Sequence, residues 1–94
     1  LNLPPTYIHG DFHLGNLIYT KNNKIGVIDF NRAKISDRFE DFYKNDLFNV
    51  PKSIPFSCGF IDGYFNYSIP NYFWNDYFYY VKSHAQVVCL YLTK

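Results

Sequence analysis

Short β-prone runs fill the first third of the chain, and helical spacing of apolar residues fills the rest. Pro4 and Pro5 make the start extended or turn-like. Leu17-Ile18-Tyr19-Thr20 and Ile25-Gly26-Val27-Ile28-Asp29-Phe30 are β-prone, and polar Lys21-Asn22-Asn23-Lys24 between them is turn-forming. Two short strands joined this way predict an antiparallel hairpin. It sets Asn16 before one strand and Asp29 at the end of the other, so both can face one side.

Ser36-Asp37 reads as a helix start, because either side chain can accept bonds from free backbone amides. Phe39, Phe42, Tyr43 and Leu47 then recur at helical spacing. Pro51 and Pro55 interrupt, and Pro55 suits the first turn of a second helix. Phe56, Phe60, Tyr64 and Tyr67 form its expected buried stripe, weakened by Gly59 and Gly63. Ser68-Ile69-Pro70 breaks it. A last helix is predicted from about Asn71 to the C-terminal end, with Phe73, Tyr77, Tyr80, Val81, His84, Val88 and Tyr91 near one face. The fold class is therefore α+β: a loop and short hairpin over residues 1–35, then about three helices over 36–94. There is no internal repeat and no linker.

Composition narrows the picture. Ninety-four residues make one domain or less. Hydrophobic residues at 48% and aromatics at 22% suffice for a packed core and exclude general disorder. A net charge of +1 without a basic run excludes broad attraction to nucleic acid or anionic lipid. The aromatic stretch 72–80 lacks the basic groove of a single-strand binder and reads as core. His84, on an aromatic face, reads as a satisfied core histidine. Cys58 and Cys89 show no CxxC pattern and read as free thiols of a reducing cytoplasm. No apolar run reaches membrane-spanning length, and no signal peptide opens the chain. With no methionine and a start at Leu1, the chain reads as a fragment of a longer protein.

The chemistry lies in HGDFHLGN, residues 9 to 16, and IGVIDFN, residues 25 to 31. Asp11 and Asn16 are five residues apart, the interval between base and metal ligand in a protein-kinase catalytic loop. A carboxylate can orient an attacking hydroxyl and accept its proton. An amide oxygen and the Asp29 carboxylate supply hard ligands for magnesium, which keeps several waters and needs few protein groups. The bland alternative has Asp11 and Asn16 bonding only loop backbone. It explains each residue singly but not their joint spacing with Asp29.

HGDFHLGN resembles the catalytic loop of the aminoglycoside phosphotransferase and choline kinase-like small-molecule kinases. IDFNRAKISDRFEDF resembles their following metal-binding segment. The resemblance is strong over residues 7 to about 42 and looser beyond. It implies a protein-kinase-like C-terminal lobe. It makes Asp11 the catalytic base and Asn16 and Asp29 the magnesium ligands. His9 shapes the loop, and Asp37 and Asp41 brace it from behind. ATP or GTP is the implied phosphate donor, a small-molecule hydroxyl the acceptor, and an N-terminal lobe of the same protein the missing partner. Ser36 replaces the usual Gly before the Asp, and Arg38 the Pro that often follows it. No Gly-rich phosphate loop or strand lysine precedes the motif, so these residues alone are expected to be inactive.

Two other classes stand beside this one. A non-catalytic remnant or interaction module would carry the same residues and expose the apolar face that meets a partner lobe. A transition-metal hydrolase would use His9, Asp11 and His13, which alternate as ligands on a strand would. That reading leaves Asn16 and Asp29 unexplained.

Overall fold

The computed structural model describes residues 3–92. Two small antiparallel sheets and two α-helices make an α+β fold. β1 (Thr6–Ile8) pairs with β4 (Lys34–Ser36), and β2 (Leu17–Tyr19) pairs with β3 (Ile25–Val27). The β2–β3 pair is the expected hairpin, with Leu17 opposite Val27 and Tyr19 opposite Ile25. Its turn is closed by the Thr20 amide donating to the Lys24 carbonyl at 2.8 Å, and Asn23 takes the left-handed conformation at φ 56°. Asp29 lies past the end of β3 rather than within it.

β4 was not foreseen. Three residues cannot display a period, and Ile35 at its centre is 72% exposed. Its order comes from β1, whose Tyr7 lies opposite Ile35. Pairing these distant strands brings residues 6–8 beside 34–36, which closes a loop around the motif.

The helix expected from Ser36 does not form. Ser36 ends β4, and the chain then turns through a 3₁₀ segment (Glu40–Phe42) and a wide π-type turn (Asn45–Asn49). The Val50 amide donates to the Asn45 carbonyl at 3.0 Å, a five-residue step. Asn45 and Asn49 are poor helix formers with buried polar partners, and tertiary bonds override the apolar spacing. Phe39 and Phe42 are buried as expected, but Leu47 is 42% exposed.

α1 (Ile54–Tyr64) starts as predicted. Ser53 caps it by accepting the Phe56 amide at 3.1 Å, and Pro55 occupies the first turn. Its buried residues are Ser57 and Ile61, with Phe56 and Phe60 half-buried. Tyr67 lies beyond the helix, at φ 65° and 81% exposed, so the expected stripe ends early. α2 (Phe73–Leu92) begins two residues later than expected. Phe73 and Tyr77 are buried; Tyr80, Val81, His84 and Val88 are half-buried; the Tyr91 side chain lies outside the described residues. Two α-helices and two short turns thus stand in place of about three helices. Both cysteines are free and exposed.

The core is aromatic. Phe39, Phe42, Ile61, Phe73 and Tyr77 form it. Phe42 stacks on Phe60 with centroids 4.4 Å apart and meets Phe73 edge-on at 5.0 Å. These rings tie segment 39–42 to both helices. Truncating fully buried Phe42 to Ala is therefore expected to cost about 3–5 kcal/mol, read as a lower denaturant midpoint with unchanged slope.

His84 is not the satisfied core histidine expected. Its ring meets Tyr43 at 4.9 Å and Phe48 at 5.5 Å, but its buried Nδ1 has no hydrogen-bond partner. Burial lowers its pKa below 6.5; the Lys44 charge adds to this, and Asp11 opposes it. A depressed folded value favours the neutral ring. Its stability contribution is complete above the unfolded value and is lost as pH falls through the folded one. The melting temperature should fall between about pH 7 and about pH 5, and His84→Gln should flatten part of that fall. An unchanged slope in the variant would show that the ring charges freely.

Candidate active site

The motif forms a tight loop running from β1 to the 3₁₀ turn Leu14–Asn16. Two consecutive backbone amides at its start, His9 N–H and Gly10 N–H, donate to Oδ2 and Oδ1 of Asp41, each at 2.8 Å. Gly10 sits at φ 89°, and a Cβ there would stand 2.0 Å from the Arg32 carbonyl oxygen. Only glycine fits that approach.

His9 is buried and spends both ring nitrogens on backbone. Its Nδ1 accepts the Asp11 amide at 3.1 Å, so Nε2 carries the proton and donates to the Ile28 carbonyl at 2.8 Å. Phe30 packs on the same ring at 4.6 Å. With no nitrogen left over, His9 cannot join Asp11 and His13 around a transition metal. Among the described residues no group of three His, Cys, Asp or Glu side chains could hold one.

Asp11 and Asn16 meet directly. Asn16 Nδ2 donates to the Asp11 carbonyl at 2.8 Å and reaches Asp11 Oδ2 at 3.3 Å. Both partners are acceptors, which fixes the side-chain amide orientation and turns Asn16 Oδ1 away from them. Asp29 makes no bond to either. It arrives through its neighbour: the Ile28 amide donates to the Asn16 backbone carbonyl at 2.9 Å, while the Ile28 carbonyl holds His9. Asp29 itself is exposed at φ 61°, a left-handed conformation that aspartate tolerates, with only a long 3.4 Å bond from the Asn31 amide on its Oδ1. An amide oxygen and an exposed carboxylate on neighbouring backbone suit magnesium, which completes its shell with water and phosphate.

Asp37 stands apart from the loop. Its Oδ1 accepts the Phe39 amide at 2.9 Å, which shapes the turn into segment 39–42. His13 caps the 3₁₀ turn through Gly15 N–H at 3.0 Å, and its Nε2 lies 3.6 Å from Asp11 Oδ1.

Segment 41–49 supplies partners that the sequence pattern hid. The Tyr43 hydroxyl donates to the Gly10 carbonyl at 2.9 Å. Lys44 Nζ lies 2.5 Å from Asp11 Oδ1. Asn49 Oδ1 accepts the Leu14 amide at 2.9 Å, Asn49 Nδ2 donates to Asn45, and Asn45 reaches the Tyr77 hydroxyl, which donates to Asp46. The turns set Asp41, Tyr43, Lys44 and Asn49 toward the loop and Asn45 inward against Ser57 and Tyr77. Asp41, Asn45 and Asn49 recur at four-residue spacing, a polar signal beside the apolar one; Tyr43 and Lys44 fall outside it. Burial alone would raise the pKa of Asp11, but Lys44, helped by His13 and Asn16, outweighs it and holds the carboxyl below 3.8.

A cavity of about 540 Å³ opens beside Gly10, bordered by Arg32, Tyr43, Tyr80 and His84. Lys34 and Glu40 on its rim pair with each other at 2.7 Å.

Asp41→Asn should place an amide nitrogen against one of two buried N–H donors and leave that donor unpaired. A stability loss of about 2–4 kcal/mol is expected, with faster hydrogen exchange at the His9 and Gly10 amides. A loss under about 0.5 kcal/mol would show that the clamp contributes little.

Part of the chain is similar in sequence to known proteins. Two aminoglycoside 3'-phosphotransferases from Escherichia coli are 46% identical over 37 residues and 52% identical over 33 residues. Those stretches cover 39% and 35% of this chain but only 14% and 12% of the relatives. An aminoglycoside 3'-phosphotransferase from Salmonella typhimurium is 52% identical over 33 residues, 35% of this chain and 12% of its own length. No solved structure matches significantly. The family model described as the phosphotransferase enzyme family matches residues 1–74, from β1 through the loop, hairpin and α1 into the first turn of α2. The chain belongs to the phosphotransferase enzyme family.

Proposed function

We propose that this chain is the catalytic-loop part of a kinase-like C-terminal lobe, its 94 residues joined in the full-length protein to an N-terminal lobe. The enzyme moves the γ-phosphate of ATP or GTP to a hydroxyl of a small molecule, aminoglycoside- or choline-like. The observation that carries this reading is the direct Asp11–Asn16 contact, with Asp29 attached through the Ile28–Asn16 backbone bond.

Asp11 is the base. Its carboxylate orients the acceptor hydroxyl and takes its proton as the bond to phosphorus forms. Asn16 and Asp29 would hold magnesium through the amide oxygen and the carboxylate, and the ion would supply charge neutralisation for the transferring phosphoryl group. His9 sets the loop by joining the Asp11 amide to the Ile28 carbonyl, and Asp41 fixes its start. Asp37 braces the following turn and so supports Asp41 at one remove. Rate enhancement in such a site comes mainly from positioning and charge neutralisation. Two exposed free thiols agree with a reducing cytoplasm, and no helix among the described residues is long and apolar enough to cross a membrane.

The test is a phosphoryl-transfer screen of the full-length protein against hydroxylated amines. Magnesium-dependent transfer is expected, and Asp11→Ala should lower kcat at least about 1000-fold while circular dichroism stays unchanged. Turnover retained within about tenfold would remove the base assignment. A wild type with no transfer to any acceptor would favour a non-catalytic module.

A further inference from the structure

Lys44 is the charged residue at this site that the motif does not include. Its ammonium lies 2.5 Å from Asp11 Oδ1, and the two side chains are only 14% and 16% exposed. It also stands over the Phe48 ring, 4.8 Å from the centroid, and near Tyr43 at 5.8 Å. A lysine enclosed and paired this way lacks the rotamer freedom of a surface lysine. On the other oxygen of the same carboxylate sits the longer Asn16 contact at 3.3 Å. Asp11 is therefore gripped tightly at Oδ1 and loosely at Oδ2. A carboxylate has about four lone-pair sites, so Oδ2 keeps room for a hydroxyl.

We infer that Lys44 is a positioning residue for phosphoryl transfer: by fixing Oδ1 it presents Oδ2 of Asp11 to the acceptor hydroxyl. This rests on Asp11 being the base. In the transfer the acceptor oxygen bonds to the γ-phosphorus, and its proton passes to Oδ2. The bond from that phosphorus to the bridging oxygen breaks, leaving a nucleoside diphosphate. Lys44 stays on Oδ1 throughout and takes no proton.

The experiment uses the full-length protein with magnesium ATP or GTP and a panel of hydroxylated amines. Lys44→Met, which keeps most of the buried stem, is compared with Lys44→Arg and with each change in an Asp11→Asn background. Lys44→Met should lower kcat about 10- to 100-fold with both KM values within about threefold of wild type. Lys44→Arg should recover most of the loss, and Lys44→Met should add nothing once Asp11 is Asn. Where Lys44→Met fails to fold, Lys44→Gln against Lys44→Arg decides by the same criteria. An active wild type whose Lys44→Met kcat stays within about twofold overturns the Lys44 role alone. So does an equal further loss in the Asp11→Asn background. A wild type without transfer, or Asp11→Asn with full turnover, overturns the reading beneath it.

Discussion

One carboxylate accepting two successive backbone amides is the constraint on which the rest depends. Asp41 receives His9 N–H and Gly10 N–H at equal distances of 2.8 Å. Charge-assisted bonds of this kind contribute about 1.5–3 kcal/mol each. With both amides fixed, the His9 ring is aimed between the Asp11 amide and the Ile28 carbonyl. The direction of Asp11 follows from that ring, and the place of Asp29 follows from Ile28. A single error at Asp41 would pass along every later bond. Gly10 belongs to the same device, since a side chain there would collide with the Arg32 carbonyl and pull the amides off the clamp.

The clamp needs a rigid foundation, and segment 39–49 has one on its other side. Phe39 and Phe42 are set among the rings of both helices, while Asp41, Tyr43, Lys44 and Asn49 face the loop. Core and site are thus two faces of one turn-rich segment. The wide π-type turn lets buried Asn45 and Asn49 bond each other, the loop and Tyr77 at once. A regular helix would give stronger internal bonding but would carry those amides out of register. Local structure has been exchanged for placement of the loop, as π turns at functional sites often do.

This exchange explains what the sequence disclosed. The hairpin was readable because its strands and turn are contiguous. α1 was readable because Ser53 and Pro55 mark its start whatever surrounds it. β4 was not, because Lys34-Ile35-Ser36 becomes a strand only through β1, some thirty residues away in sequence. The segment after Ser36 misled because its apolar spacing is helical while its polar side chains bond elsewhere. At the site, Asp11 and Asn16 were visible as a spaced pair in one loop. Lys44 was invisible, because nothing in a lysine between a tyrosine and an asparagine predicts a bond to a residue 33 positions earlier. Asp37 and Asp41 looked alike in sequence; only folding assigns one to the Phe39 amide and the other to the loop.

A base held by an ammonium looks self-defeating, since the pairing that orders Asp11 also lowers its pKa. The proposed reaction resolves the conflict. In phosphoryl transfer through a loose transition state, little bond to the acceptor oxygen has formed at the summit, and its proton is still weakly acidic. Basicity then matters late, whereas orientation matters from the start. A carboxylate pinned at one oxygen gives up some proton affinity and gains a fixed direction for the other. Held geometry at the reacting atoms can be worth several kcal/mol of barrier, more than a modest loss of basicity takes away. The same logic accounts for the surroundings of Asp11: a ring nitrogen on its amide, an asparagine on its carbonyl and a lysine on its carboxylate. Each contact removes a degree of freedom from the side chain proposed to meet the acceptor.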